Sequence, residues 1–331
     1  MKRIAMLGFM LALLPMAVLA QTDEQYIQYW KSEWPKTDFT KKSVDFDEIL
    51  HGGPPRDGIP PIDEPAFVPV AEAEGLEDNQ PVIGVVINGE AKAYPLSVLM
   101  WHEIANDELG GVPISVTFCP LCNAAIVFDR RLDGRVLDFG TTGRLRNSDL
   151  IMWDRQTESW WQQFLGEAII GELTGKRLDV IPSRLESFAR FKARAPEGQV
   201  MVPSGRYTRN YGQNPYVGYD SLAKPFMYRG DMPTNVPPLM RVVSLGEEGA
   251  WSMALVQDKK EIDVGEGRVI RWEPGQYSAL DENVIAQSRD VGNVTVTRTV
   301  DGKEVDIVHG IDFAFAYHAF YPDSPIHHLP E

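Results

Sequence analysis

Apolar runs with turn residues between them dominate the chain from residue 81. The stretch PVIGVVINGEAKAYPL contains an apolar run, the turn pair Asn88-Gly89 and a second run, which is typical of a β-hairpin. Further strands are predicted in PISVTF, AAIVFDR and RVLDFG. Residues 96–111, LSVLMWHEIANDELGG, have apolar positions at helical spacing before a Gly-Gly stop, so we expect a helix there.

The segments on either side of this region have other patterns. The pattern of residues 21–80 predicts an N-terminal arm. Up to residue 50 the arm is helix-prone and rich in aromatic residues, and the stiff loop HGGPPRDGIPPIDEPAFVP follows. Residues 171–239 predict a connector, whose second part, from residue 203 to residue 238, has the composition of a long irregular loop. Such a loop is either a simple connection or a lid.

Two pairs of segments resemble each other. VVINGEAKAYPL (85–96) is similar to VVSLGEEGAWSM (242–253), and LDGRVLDF (132–139) is similar to VDGKEVDI (300–307). These matches predict two degenerate β-rich copies, residues 81–170 and 240–331. The expected fold is therefore α+β and mainly β, with an N-terminal helical arm; the second copy contains no cysteine.

The first twenty residues indicate the compartment. Lys2 and Arg3 precede an apolar run over 4–14, and the small residues Val18 and Ala20 stand where a signal peptidase cleaves. We therefore expect a signal peptide over 1–20 and a periplasmic or secreted protein without stable membrane insertion after cleavage. An uncleaved anchor is the alternative, but the run is short for a membrane span and Pro15 interrupts it.

Charge restricts the partners. The formal net charge is −15, from 47 acidic against 32 basic residues, and such a surface repels nucleic acids and anionic lipids. A small molecule or a metal ion is the expected partner, and the sequence identifies no protein partner.

Cys119 and Cys122, in SVTFCPLCNAAIVFDR, are the only cysteines. Predicted strands on both sides put them on a turn, where two sulfur atoms can face one ion, and His102 and Glu103 are the nearest candidates for further ligands. Behind these stand two acidic residues of the Pro-rich loop and His318. Thiolate with imidazole suits copper or zinc. Binding of such a metal, for metal handling or a metal-assisted redox step, is the preferred hypothesis.

Two other interpretations of the cysteine pair stay open. A thiol-disulfide oxidoreductase would place the first cysteine at a helix N-terminus, which lowers the thiol pKa, but the residues after Cys122 favour a strand. A structural disulfide across so short a loop would stabilise little. In an oxidising compartment an idle free pair is the least expected state. The sequence does not decide whether the protein is an enzyme.

A second polar group follows in residues 139–164, where polar side chains alternate with tryptophans. This pattern indicates either a network that supports the core or a small-molecule pocket with an indole floor, which would suit a non-catalytic binding or scaffold protein. The candidate pocket residues, together with two from the Pro-rich loop, are Asp57, Asp63, Ser148, Asp149, Asp154, Arg155 and Gln162.

Long motifs resemble one family. The stretches DGIPPIDEP, VIGVVINGEAKAYPLSVLMWHEIANDELGG, VTFCPLCNAAIVFDR and FGTTGRLRNSDLIMWDRQTESWWQQFLGEAIIGELTG are similar to the bacterial family of unknown function DUF3179, over roughly residues 55–320. The resemblance implies export and a single family-wide domain, and it implies no activity. The positions that match the family pattern are Asp57, Asp63, His102, Glu103, Asn106, Asp107, Cys119, Cys122, Asp129, Arg130, Ser148, Asp149, Asp154, Arg155 and Gln162.

Overall fold

A computed structural model describes residues 22–330. The predicted signal peptide, residues 1–20, lies outside the described residues. No helix within residues 22–330 has the length and apolar character needed to cross a membrane.

The described chain is mainly β, as the sequence predicts, with 38% of residues in strands and 16% in helices. The α-helices are α1 (Asp23–Trp30), α2 (Leu96–Leu99), α3 (Phe188–Arg194), α4 (Met253–Lys259) and α5 (Ala314–Phe320). Single 3₁₀ turns lie at Phe46–Glu48, Val70–Glu72, Tyr219–Ser221, Gly246–Glu248 and Ile285–Gln287. The strands are β1 (Ile49–His51), β2 (Ala66–Pro69), β3 (Pro81–Ile87), β4 (Glu90–Pro95), β5 (Ile104–Leu109), β6 (Val112–Cys119), β7 (Ala124–Asp129), β8 (Arg131–Leu132), β9 (Arg135–Val136), β10 (Phe139–Arg146), β11 (Asp149–Asp154), β12 (Trp160–Gln162), β13 (Glu167–Ile170), β14 (Val180–Ile181), β15 (Ser183–Ser187), β16 (Gln199–Val202), β17 (Arg241–Ser244), β18 (Ala250–Ser252), β19 (Glu261–Asp263), β20 (Arg268–Glu273), β21 (Asn293–Val300), β22 (Lys303–Asp306), β23 (Gly310–Phe313) and β24 (Ile326–His327).

These strands form five larger sheets and one two-stranded ribbon, β8-β9, within residues 22–330. Sheet I has the order β15-β3-β4-β16-β2, and sheet II has the order β14-β7-β6-β5. Sheet III is β1-β10-β11-β12-β13, sheet IV is β23-β17-β18-β24, and sheet V is β19-β20-β21-β22. The five larger sheets are arranged as the blades of a propeller-like ring.

The predicted division into two repeats is wrong. Strands β15 and β16, which lie in the predicted connector 171–239, complete the sheet of β3 and β4, so residues 81–170 are not a structural unit. One hydrophobic core also runs through both predicted copies, from Ile62 to Ala316. Sheets I and IV do share a local layout, in which an antiparallel hairpin has a parallel strand on one side. This layout accounts for the sequence similarity between 85–96 and 242–253.

The helix expected over 96–111 is mostly a strand. Only Leu96–Leu99 is α-helical, and β5 then pairs with β6 across Gly110 and Gly111. Both glycines have positive φ, of 56° and 77°, as a type I′ hairpin turn requires, so the Gly-Gly pair is a β-turn and not a helix stop. The apolar residues that have helical spacing in the sequence lie instead in the short helix α2 and in strand β5.

The N-terminal arm is attached to sheet III through aromatic side chains. Trp30, Trp34 and Phe39 pack around Trp160 of β12, with ring centroids 4.8–5.7 Å from that of Trp160. The indole of Trp34 is fully buried. Since buried aromatic rings contribute large apolar areas, this cluster fixes the arm against sheet III.

We therefore expect Trp34→Ala to lower the free energy of unfolding by roughly 3–5 kcal/mol, because it leaves a cavity against Trp160. Tyr29→Ala is the matched control, since Tyr29 is 59% exposed in the same arm and its loss should cost less than about 0.5 kcal/mol. Urea unfolding measures both variants, and equal losses would show that the arm does not depend on this contact.

Candidate functional site

The two cysteines lie at the turn that joins the neighbouring strands β6 and β7 of sheet II. Cys119 ends β6, a four-residue turn follows, and Ala124 begins β7 directly opposite Cys119. The strand, turn and strand predicted for this stretch are confirmed. Asn123 adopts a left-handed conformation at the end of the turn, with φ of 54°, and its side-chain amide donates to the carbonyl of Ile311 at 2.6 Å.

The turn is also held by chain segments that are remote in sequence. The backbone N–H of Phe313, in β23, donates to the carbonyl of Cys122 at 2.9 Å. The hydroxyl of Tyr219 donates to the carbonyl of Leu121 at 3.0 Å. These bonds fix the sulfur atoms in the interior, where Cys119 and Cys122 are almost fully buried.

A third chemical group joins the sulfur atoms. The two Sγ atoms and a carboxylate oxygen of Asp149 all lie within 4.8 Å of one another. Asp149 begins β11 after a two-residue turn in which Asn147 and Ser148 have φ of 53° and 65°, the geometry of a type I′ hairpin. We call Cys119, Cys122 and Asp149 the acidic cluster.

The two carboxylate oxygens of Asp149 have different partners. Its Oδ2 accepts from Nε2 of Gln162 at 2.7 Å and from the backbone N–H of Phe164 at 2.9 Å. Its Oδ1 is buried and accepts from no nitrogen or oxygen donor of the described residues, and only the weakly donating thiols of Cys119 and Cys122 interact with the carboxylate beside these bonds. Thiols compensate a buried carboxylate oxygen poorly, and a cation would satisfy it.

Burial makes every acid of this region harder to ionise. It raises the pKa of the thiols of Cys119 and Cys122, and it raises the pKa of Asp149 to about 6. Glu103, fully buried beside the cluster, has its pKa raised to about 8 by desolvation and by the charge of Asp149. Desolvation and the same charge raise the pKa of Asp312, in β23, to about 7.

The structure does not bring His102 to the sulfur atoms. Its Nδ1 lies 2.7 Å from the carbonyl of Pro60, and its Nε2 lies 2.8 Å from the hydroxyl of Tyr211. Because the carbonyl only accepts, Nδ1 carries the proton and Nε2 accepts from Tyr211. His102 therefore joins the Pro-rich loop to the 203–238 loop, and both nitrogens are used.

Glu103, the other predicted ligand, lies next to the cluster. It occupies a left-handed conformation, with φ of 59°, where the chain leaves α2 for β5. Its backbone carbonyl accepts from Phe118 at 2.8 Å, so it is adjacent to the strand that carries Cys119. Glu103 and Cys119 line the same cavity.

The predicted pocket residues divide into two groups. Ser148, Asp149 and Gln162 belong to the acidic cluster and its surroundings, with Ser148 Oγ donating to the carbonyl of Phe226 at 2.6 Å. The others hold turns and loops together. Asp57 accepts from Trp153 and from the backbone of Thr141, Asp154 accepts from Thr157 and Trp161, and Asp63 pairs with Arg155.

Two features of the site were missed by sequence reasoning. Asp149 was expected in a pocket and not as a metal ligand, although a carboxylate at the first position of a fully buried strand is a signal for a functional group. The walls supplied by Tyr216, Phe226 and Met227 come from the 203–238 loop, whose sequence pattern gives no indication of where it folds.

Comparison with known proteins gives one match. The model of a family described as "Protein of unknown function (DUF3179)" matches residues 56–324, which is most of the chain. No curated protein and no solved structure matches significantly.

The burial of His102 predicts that the free energy of unfolding depends on pH. Desolvation lowers the pKa of His102, so the folded protein prefers the neutral ring and the unfolded chain takes up the proton first. The contribution of His102 to stability should be complete above the ordinary histidine pKa, about 6.5, and should be lost as the pH falls below it.

We expect the free energy of unfolding of the wild type to fall more between pH 7 and pH 5 than that of His102→Gln. The difference between the two proteins isolates His102 from the acidic groups, which titrate in both. Urea midpoints at the two pH values measure it, and identical changes would disprove the assignment.

Proposed function

Since the chain belongs to the DUF3179 family, whose function is unknown, we propose from its own side chains that it binds a transition-metal ion at Cys119, Cys122 and Asp149. The observation that supports this proposal is the convergence of three buried ligand atoms within 4.8 Å. Donors that share one tetrahedral ion at bond lengths of about 2.0–2.3 Å are separated by roughly 3.3–3.8 Å. The spacing of the cluster is therefore compatible with one ion.

The donor set favours zinc over copper. Copper(I) selects soft sulfur ligands, whereas Asp149 contributes a hard carboxylate oxygen. Zinc accepts cysteine sulfur and carboxylate oxygen in one site. His102, the imidazole expected with the thiolates for either copper or zinc, bonds elsewhere and is not among the three clustered donors.

Electrostatics also support a bound cation. The cluster and its neighbours Glu103 and Asp312 bring five acidic side chains together in the interior. Arg241 and Arg144 are also buried, but Arg241 pairs with Asp220 and Arg144 pairs with Glu33. Neither arginine therefore supplies a counter-charge to the cluster. A divalent ion would offset the burial of the thiolates and of Asp149.

A site with three protein ligands is more typical of a catalytic metal centre than of a structural one. Structural zinc sites use four protein ligands, while catalytic sites use three and leave a position for water or substrate. Glu103 and Cys119 face a cavity, so a small molecule could approach the ion from there. Held by Cys119, Cys122 and Asp149, the ion would supply Lewis-acid chemistry, and Glu103, in the wall of the same cavity, would be the nearby group that accepts or donates a proton.

The cysteine geometry gives less support to thiol-disulfide exchange. A reactive thiol has a lowered pKa and sits at a helix N-terminus or beside a cation. Here the pair lies between two strands, and burial raises the pKa of both thiols. We therefore prefer the metal site to the redox pair.

Metal analysis tests the proposal directly. The wild type, purified without chelator and dialysed against zinc, should retain about one zinc ion per chain. Cys119→Ser and Asp149→Asn each remove a ligand and should weaken zinc binding by at least about 100-fold, because loss of a direct ligand exceeds the roughly 10–100-fold effect of an outer-shell change.

His102→Gln is the matched control, since His102 is as buried as the cluster and its ring nitrogens bond elsewhere. It should keep the wild-type zinc content. If His102→Gln loses zinc while Asp149→Asn keeps it, the ligand assignment is wrong, and a metal-free wild type would refute the proposal.

Zinc binding should release protons. Burial raises the pKa of both thiols, so they are protonated in the metal-free protein near neutral pH and must lose protons to become ligands. Titration calorimetry in two buffers of different ionisation enthalpy should show this release, and zinc affinity should increase from pH 6 to pH 8. An affinity independent of pH would contradict thiolate ligation.

A further inference from the structure

A cavity of about 370 Å³ adjoins the acidic cluster. Its size falls within the range of about 300–1,000 Å³ that is usual for small-molecule sites. The wall is largely apolar and comes from the Pro-rich loop, sheet II, sheet III and the 203–238 loop. Its apolar residues include Ile59, Leu121, Leu145, Leu150 and Phe226.

The polar groups of this wall are unequal. Thr141 Oγ1 donates to the carbonyl of Ile59. The guanidinium of Arg144 pairs with Glu33 through Nη2 and lies against the rings of Tyr29 and Trp34 in the N-terminal arm, while its Nε and Nη1 have no hydrogen-bond partner among the described residues. The other polar side chains of the wall are Cys119, which is a proposed metal ligand, Glu103, and Tyr216, whose hydroxyl interacts electrostatically with both. The cavity therefore combines an apolar interior with a polar region at the acidic cluster.

We propose that this cavity binds a small, uncharged and mainly apolar organic molecule, with its polar group directed toward Glu103 and Cys119. This proposal deepens the proposed function, because it names the class of substrate for the same metal centre. It rests on the proposed function only for the reaction at the metal, and not for binding in the cavity. An apolar wall penalises a charged ligand, because burial removes the charge from water without a compensating partner.

The entrance supports the same ligand class. Phe226 and Met227 line the cavity although they are 47% and 37% exposed, so apolar side chains stand at its rim. The ring of Phe226 packs against Tyr219 with centroids 4.8 Å apart, and its carbonyl accepts from Ser148. The rim is thereby connected to the turn that precedes Asp149.

A matched pair of fluorescent probes tests the ligand class. 1-Anilinonaphthalene is uncharged and mainly apolar, and 8-anilinonaphthalene-1-sulfonate has the same rings with one negative charge. The wild type should bind the uncharged probe at least about tenfold more tightly, a difference of about 1.4 kcal/mol. Equal or tighter binding of the sulfonate would overturn the proposal.

Two variants locate the probe. Ile59→Trp fills the cavity and should weaken binding of the uncharged probe at least about tenfold, whereas Ile307→Trp, the same change at a half-buried position outside the cavity wall, should leave it within about twofold. Met227→Lys places a charge on the exposed rim without a demand on the core, and it should also weaken the uncharged probe. If neither cavity variant weakens binding, the probe sits elsewhere and the proposal fails.

Asp149→Asn separates this proposal from the metal site. It should lose zinc yet bind the uncharged probe within about twofold of the wild type, because Asp149 is not part of the apolar wall. A wild type that holds zinc but does not bind the uncharged probe refutes the cavity proposal alone. A wild type that binds the probe but holds no zinc refutes the metal proposal alone.

Discussion

Removing several acidic side chains from water at one place costs free energy, and this cost governs the central region of the protein. Two thiols and the carboxyl group of Asp149 converge there, with Glu103 and Asp312 close by. Protonation, hydrogen bonds or a cation can offset the cost, and the raised pKa values show how strongly ionisation is resisted without a cation. A site kept in this state is more consistent with ligand binding than with packing alone.

The fold brings these groups together by using the ends of strands. Cys119 ends β6, Cys122 lies in the following turn, and Asp149 begins β11 in a different sheet. Strand β23, almost two hundred residues further along, then bonds to the Cys122 carbonyl and fixes the turn. Because each ligand lies on a rigid hairpin, the cluster is positioned by the sheets and not by mobile loops.

Loops, by contrast, form the entrance to the cavity beside the acidic cluster. The Pro-rich loop and the 203–238 loop supply much of the cavity wall, and His102 joins them through Pro60 and Tyr211. A histidine that looked like a ligand thus has an architectural role, in joining two loops of the cavity wall, and it is not among the clustered metal-ligand candidates. The carboxylates of Asp57 and Asp154 have comparable roles, since they hold the Pro-rich loop and the turn after β11 in place.

The sequence by itself determined what local chemistry controls: the β-rich class, the Asn88-Gly89 hairpin, the strands around Cys119 and Cys122, and the family. It misjudged residues 96–111, because apolar spacing in a short segment fits a helix and a buried strand equally well. It also could not place Asp149 beside the sulfur atoms or His102 away from them. Those distances depend on which strands meet in space, and only the tertiary structure decides that, because pairing between remote strands leaves no signal in local periodicity.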